Sequence, residues 1–231
     1  MAGKFFQYDN SLWRFMGLLG DFMLLDLLLF LSAVPVITAG AGLSAAYYTC
    51  FRIMEKRDAG TVRDFLHAFR QNLMHGIVLT LLFLLLGAVL MADGRMLFAL
   101  FPADGGAGMT GVAGSSVVFC LLTALFFLGS FLYAAVFLYI FPLEARFYNR
   151  IPELFCNAAV LSIRNLPRTV LMLLGDAALI SVIFLSFRFF PGLAILPILF
   201  CLPLALWFNT WMMRKALGLR IGEEDANAEE D

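Results

Sequence analysis

Long apolar runs alternate with short basic stretches along this chain. The run from Gly76 to Met91 and the run from Val117 to Phe141 contain no charged residue. A helix of about 20 apolar residues crosses the roughly 30 Å hydrocarbon core of a bilayer. Unbroken runs of this kind also lack the alternation of a membrane β-strand. The pattern therefore predicts an all-α fold, a polytopic transmembrane helical bundle.

The apolar runs predict about five membrane spans, within a single helical membrane domain over residues 1–222. Pro35 and the following glycines are expected to end the first span, because proline breaks the hydrogen-bond ladder and glycine permits the turn. In an alternative, residues 35–54 are re-entrant, so that residues 43–54 return through the membrane and the N-terminus changes side. The predicted spans are Leu12–Ile37, Met74–Ala92, Val117–Phe141, Thr169–Phe187 and Leu193–Met213.

The basic residues predict the orientation of these spans. Twelve of the 16 Lys and Arg residues fall in the connections between spans one and two and between spans three and four, or after span five. Because Lys and Arg are concentrated in cytoplasmic loops, this face and the C-terminus are predicted to be cytoplasmic. The N-terminus is then outside, or inside if the re-entrant alternative holds. The last residues, 223–231, predict an acidic disordered tail.

Both long cytoplasmic connections predict an amphipathic helix, one over Thr61–Leu73 and one over Pro152–Leu166, since their apolar residues recur with helical spacing. Pro142 is expected to end the third span just before the second of these helices. That helix is predicted to lie flat on the bilayer, with its apolar face turned toward the lipid. The face consists of Leu154, Phe155, Ala158 and Leu161.

Composition supports a membrane protein and gives no sign of an enzyme. Hydrophobic residues make up 62% of the chain and charged residues 14%, against about 25% charged residues in soluble domains. The four cysteines are scattered without a C-x-x-C pair, which disfavours a disulfide or a zinc site. No phosphate-binding loop, nucleophile elbow or metalloprotease motif occurs in the sequence. We therefore expect no enzymatic activity, no metal, no cofactor and no nucleic-acid partner.

Ionisable side chains inside the spans are the candidate functional groups, because a charge in the bilayer costs a few kcal/mol or more. Asp26 and Asp176 could serve as a proton or cation relay, or as a polar contact for a substrate. Alternatively they are structural, with Asp176 bonded to Asn209, to Tyr133 or to a backbone carbonyl. Asp21 is expected nearer the outer end. Glu144 and Arg146 lie at the end of the third span. They are expected to be either interfacial charges with long side chains that reach the headgroups or functional groups.

Several segments in the right order resemble the YesL family of bacterial membrane proteins. The resemblance implies a bacterial plasma-membrane protein of a family without an assigned function, whose members often lie near carbohydrate-uptake genes. It carries over no catalytic residue, and the family pattern often has Asn where this chain has Asp26. The matching segments are Pro35–Tyr48, Phe65–Asn72, Phe141–Phe147, Asn165–Thr169 and Asn209–Lys215.

Two functions follow as expectations. The first is a non-enzymatic accessory component linked to carbohydrate uptake. It would act in the lipid bilayer with a sugar-transporter complex as partner, or through self-association. The second is a small secondary transporter that uses the intramembrane aspartates. The candidate polar residues are Asp26, Asp176, Glu144, Arg146 and Asn209.

Overall fold

The chain folds into helices throughout the part that the structure describes. This structure is a computed structural model, and it describes residues 11–55, 60–100, 116–147, 150–189, 192 and 195–214. Within these ranges there are seven α-helices, one short 3₁₀ helix at Val36–Thr38 and no strand, which confirms the all-α class. The helices are α1 Ser11–Ala33, α2 Ala39–Met54, α3 Thr61–Leu100, α4 Ser116–Arg146, α5 Ile151–Arg164, α6 Leu166–Phe189 and α7 Ile195–Met213.

Three helical segments are long and apolar enough to cross a membrane: Thr61–Leu97, Val118–Arg146 and Leu166–Phe189. A shorter apolar helix covers Phe200–Met213. Many large apolar side chains on these helices are exposed, and Phe184 of α6 is 76% exposed. Exposed apolar surface on this scale suits contact with lipid rather than water. Helical, membrane-compatible architecture is thus established, whereas a total of five crossings remains a prediction.

The first predicted span ends at Ala33, and the chain then reverses into α2. The turn between α1 and α2 bonds its own polar groups: the Thr38 hydroxyl donates to the Ser32 carbonyl at 2.6 Å and to the Pro35 carbonyl at 2.9 Å. Gly42 of α2 lies directly against the Ser32 side chain, as expected for a helix folding back along α1. The structure thus contains the reversal that the re-entrant alternative requires.

The middle of α1 contacts the start of α3. The Thr61 hydroxyl, in the first turn of α3, donates to Asp21 Oδ1 at 2.7 Å. The sequence placed Asp21 near the outer end of its span and Thr61 in a cytoplasmic connection. Because the two side chains touch, they cannot lie on opposite sides of a membrane, and that assignment of Asp21 is wrong if Thr61 is cytoplasmic.

Helix α2 is the centre of the fold, in contact with α1, α3, α4 and α7. It is rich in small residues, so neighbouring backbones approach closely. Where α2 crosses α3, a methyl group added to Gly76 would lie 2.5 Å from the Ala41 Cα atom. The Thr80 hydroxyl of α3 accepts the Gly40 N–H at 2.9 Å and donates to the Gly76 carbonyl at 2.7 Å. A side chain of α3 therefore caps the first turn of α2, where Thr38 makes no side-chain cap.

Two predicted boundaries do not occur. The segment Thr61–Leu73 is not a separate amphipathic helix but the first turns of α3, because no residue between it and the apolar run interrupts the backbone ladder. Helix α4 also continues through Pro142 to Arg146. Proline removes one backbone donor, but the ladder resumes at once, since the Phe147 N–H donates to the Leu143 carbonyl at 2.8 Å.

Helix α5 forms close to where the sequence predicted it, with Pro152 in its first turn, but its apolar face contacts protein. Leu154 and Ala158 are fully buried, and Phe155 and Leu161 pack against the same hydrophobic core. The Phe155 ring stacks on Phe83 of α3 with centroids 5.4 Å apart. The prediction that this face turns toward lipid is therefore wrong, because α4 and Phe83 already cover it.

Some predictions fall outside the described residues. These are the acidic tail at 223–231 and the basic residues Lys4, Lys56, Arg57, Lys215 and Arg220.

Candidate functional site

Asp176 of α6, which is half-buried, and Asn209 of α7, which is buried, form a polar pair. The Asn209 Nδ2 group donates to both carboxylate oxygens of Asp176, at 3.1 Å and 3.0 Å. Gly175 makes this approach possible, because the Phe208 ring of α7 occupies the space that a side chain at position 175 would need. Asn209 was one of the partners that the sequence suggested for Asp176, and the structure brings the two together.

One oxygen of this pair has no partner. Asn209 is 3% exposed, and its Oδ1 atom makes no hydrogen bond. A carboxylate only accepts hydrogen bonds, so Nδ2 must face Asp176 and Oδ1 must point away from it. A buried polar atom without a partner costs about 1–3 kcal/mol. Such an atom is a natural contact for a donor supplied from elsewhere.

Tyr47 of α2 completes a group of three polar side chains. It is almost fully buried and lines the same cavity as Asp176 and Asn209. The sequence analysis did not single out Tyr47. Its only signal was its place within residues 43–54, which the re-entrant alternative returned through the membrane.

These three side chains lie on the wall of a cavity of about 430 Å³ between α2, α4, α6 and α7. Apart from them, the lining is largely apolar and strongly aromatic, with Tyr133, Phe137 and Phe141 contributed by α4. Small-molecule sites commonly measure about 300–1,000 Å³ and place a few polar groups in an apolar wall. The cavity therefore has the size and the chemistry of a site for a small molecule.

Glu144 and Arg146 lie at the end of α4 and face α2. The Ser44 hydroxyl donates to Glu144 Oε2, while Glu144 Oε1 has no partner and the residue is buried. Arg146 Nη1 bonds Glu55 Oε1 at 2.6 Å. The prediction of an interfacial charge is thus wrong for Glu144, because Ser44 and α2 hold it inside the protein.

Asp26 of α1 is buried as well, at 3% exposure, and its Oδ1 atom has no hydrogen-bond partner. It is not among the residues that line the cavity beside Asp176. The candidate residues thus divide into the Asp176–Asn209 pair, the Glu144–Arg146 end of α4, and Asp26 by itself.

No group of three or more metal-binding side chains occurs among the described residues. The polar side chains that line the cavity are one carboxylate, one amide, two phenols and one thiol. The arrangement can accept hydrogen bonds from a bound group and can neutralise one positive charge.

Comparisons with known proteins extend this description only a little. Residues 6–94 match the model of a family described as "Protein of unknown function, DUF624". This match covers α1, α2 and most of α3, which is less than half of the chain. Neither the curated proteins nor the solved structures give a significant match.

Proposed function

We propose that this protein is a non-enzymatic component of solute uptake in a bacterial plasma membrane, and that it acts as a small secondary transporter. The observation that carries the proposal is the Asp176–Asn209 pair on the wall of the cavity between the helices. A carboxylate inside a membrane helix is costly, and such groups commonly mark ion or substrate pathways. Asp176 is the relay or binding carboxylate of this proposal.

The cavity does not suit a sugar. Carbohydrates present hydroxyl groups on all sides, and each one buried without a partner costs free energy. Here most polar groups come from Tyr47, Asp176 and Asn209, the Tyr133 hydroxyl is already bonded to the Phe83 carbonyl, and the other walls are mainly apolar. A role for this chain in carbohydrate uptake therefore rests on association with another protein.

The accessory role in carbohydrate uptake is the second candidate, and helix α5 favours it. Its outward face carries the exposed apolar residues Val160 and Ile163 beside Arg164. Because Leu154 and Ala158 already cover the opposite face, this outward face is available to a partner such as a sugar-transporter subunit or a second copy of the chain. An amphipathic helix face is a common docking element.

Transport by the isolated chain separates the two candidates. Proteoliposomes holding only this protein should admit protons under an imposed membrane potential, measured with an entrapped pH dye. Asp176→Asn keeps the shape but removes the charge, and should lower the flux at least about tenfold, the effect of losing one charge-assisted contact.

The matched control for this change is Asp93→Asn, the same substitution on an exposed carboxylate of α3 outside the cavity. It should leave the flux unchanged. A chain that admits no protons contradicts the transporter role and leaves the accessory role. A flux that Asp176→Asn does not alter contradicts the role of this carboxylate.

We also propose that α1 and α2 enter and leave the membrane on one side, so that both termini are cytoplasmic. The contact between Thr61 and Asp21 supports this arrangement, as does the excess of basic residues in the cytoplasmic connections. The turn between the two helices is apolar and exposed: Val34 is 67% and Val36 58% exposed. An apolar turn that bonds its own polar groups suits lipid, where backbone groups find no water.

Cysteine labelling in intact cells tests this topology. In a chain freed of its four cysteines, single cysteines are placed at Lys4, Asn157 and Gly108. A membrane-impermeant maleimide added outside should label position 108 and neither of the others. If positions 4 and 108 are both labelled and position 157 is not, the result supports five crossings with an external N-terminus. Labelling at position 157 contradicts the cytoplasmic placement of α5.

A further inference from the structure

We propose that the cavity beside Asp176 binds an organic ammonium ion with an apolar substituent. The proposed transport function supplies only the biological role of this ligand. The binding itself can be measured without transport. The inference follows from three features of the site: its charge, its unpaired acceptor and its aromatic walls.

The charge of the site selects a cation. Asp176 is the one acidic residue among the residues that line the cavity, and no Lys, Arg or His is among them. Its hydrogen-bond partner Asn209 is neutral, so no cation among the lining residues compensates the charge of the ionised carboxylate. An anion would meet uncompensated repulsion in a low-dielectric wall, whereas a cation is attracted.

The unpaired acceptor selects a cation that can donate hydrogen bonds. Asn209 lines the cavity, commits its Nδ2 group to the carboxylate and leaves its buried Oδ1 without a partner. An ammonium N–H can donate to Oδ1 while another N–H of the same group reaches Asp176. One bound ammonium would thus neutralise the carboxylate and satisfy the orphaned oxygen together.

The walls select an organic ion over a metal ion. Na⁺ and Ca²⁺ are held by several oxygen ligands around the ion. The side-chain oxygens of the lining belong to only four residues, Tyr47, Tyr133, Asp176 and Asn209, and the Tyr133 hydroxyl already donates to the Phe83 carbonyl. The remaining surface includes the rings of Phe137 and Phe141. Aromatic rings attract organic cations through their π faces and pack against apolar substituents.

The cavity opens sideways. Among its lining residues, Ile180 and Phe137 are exposed on the outer surfaces of α6 and α4, both candidate membrane spans. A ligand would therefore enter from the bilayer, which an ammonium with an apolar substituent can do because it partitions into the headgroup region with its charge outward.

Binding of benzyl compounds to the full chain in lipid nanodiscs tests the ligand class. Benzylammonium should bind more tightly than benzyl alcohol by at least about tenfold, the effect of a charge-assisted contact. Benzoate should show no binding above that of empty nanodiscs. Equal binding of the alcohol and the ammonium, or binding of benzoate, overturns the proposal.

Two variant pairs locate the site. Asp176→Asn should weaken benzylammonium binding at least about tenfold, while Asp93→Asn should not change it. Ile180→Trp should obstruct the mouth without touching the polar group, whereas Phe184→Trp, one turn further along α6 and outside the lining, should bind normally. If Asp176→Asn fails to fold, the comparison of Ile180→Trp with Phe184→Trp still locates the site, because positions 180 and 184 are both exposed. Unchanged binding in Ile180→Trp contradicts this location.

The outcomes also separate ligand class from function. Saturable benzylammonium binding without any proton flux in proteoliposomes keeps the site and refutes the transporter. Flux that depends on Asp176 without benzylammonium binding keeps the transporter and refutes the ligand class.

Discussion

Replacing Gly76 by alanine is expected to destabilise the protein by about 3 kcal/mol, the upper part of the range for overpacking. The new methyl group would lie 2.5 Å from both the Cα and the backbone N of Ala41. Backbone atoms cannot rotate away as the end of a side chain can, so α2 and α3 must separate. The gain of about 1 kcal/mol in helix propensity from glycine to alanine is smaller than this cost.

The free energy of unfolding in mixed detergent micelles measures the effect, and Gly129→Ala is the control. In α4 the same methyl group would meet only Leu90 Cδ2, at an ordinary 3.8 Å. That variant should be as stable as the parent or up to about 1 kcal/mol more stable. Similar stability in the two variants would show that α2 and α3 are not packed as closely as described.

Replacing Phe83 by alanine is expected to cost about 3–5 kcal/mol, as for other large core residues. Phe83 is 3% exposed and joins three helices through its ring. Its centroid lies 5.5 Å from that of Tyr133, 5.2 Å from that of Phe137 and 5.4 Å from that of Phe155. The variant leaves a cavity where α3, α4 and α5 meet, and α5 should lose protection from hydrogen exchange first.

Phe184→Ala provides the comparison, because this phenylalanine is on the outer surface of α6. Its removal should change the unfolding free energy by no more than about 0.5 kcal/mol, as at other exposed sites. If both variants lose the same stability, the ring cluster around Phe83 does not hold α5 in place.

The apolar runs were sufficient to predict α3, α4, α6 and α7, because twenty consecutive apolar residues have few alternatives to a helix. Helix α2 could not be predicted as a central element from its composition. Its Gly/Ala-rich segment lacks the length and hydrophobicity of a span, and its stability comes from close contact with α3 at Gly76. That contact joins Ala41 and Gly76, which are 35 positions apart, so the pattern of neighbouring residues cannot predict it.

The candidate site was predictable in part. Asp176 stood out as a charge within an apolar run, and Asn209 stood out as a polar partner in the next one. Tyr47 and the Ser44–Glu144 bond depend on how α2 packs, and Ser44 and Glu144 are 100 residues apart. Glu144 follows Pro142, which suggested that the helix had already ended. The continuing ladder instead turns Glu144 toward α2.

The Thr80 hydroxyl that caps α2 makes the folding of α2 depend on the later insertion of α3. Gly40 and its partner are separated by 40 residues, and the bond joins the first turn of α2 to the middle of α3. While the chain is being synthesised, α1 and α2 are complete well before Thr80 has left the ribosome. With α1 and α2 placed in the bilayer as proposed above, the start of α2 would until then carry an unpaired N–H without water, a state that costs free energy. We therefore expect α2 to reach its final position only once α3 has been inserted beside it.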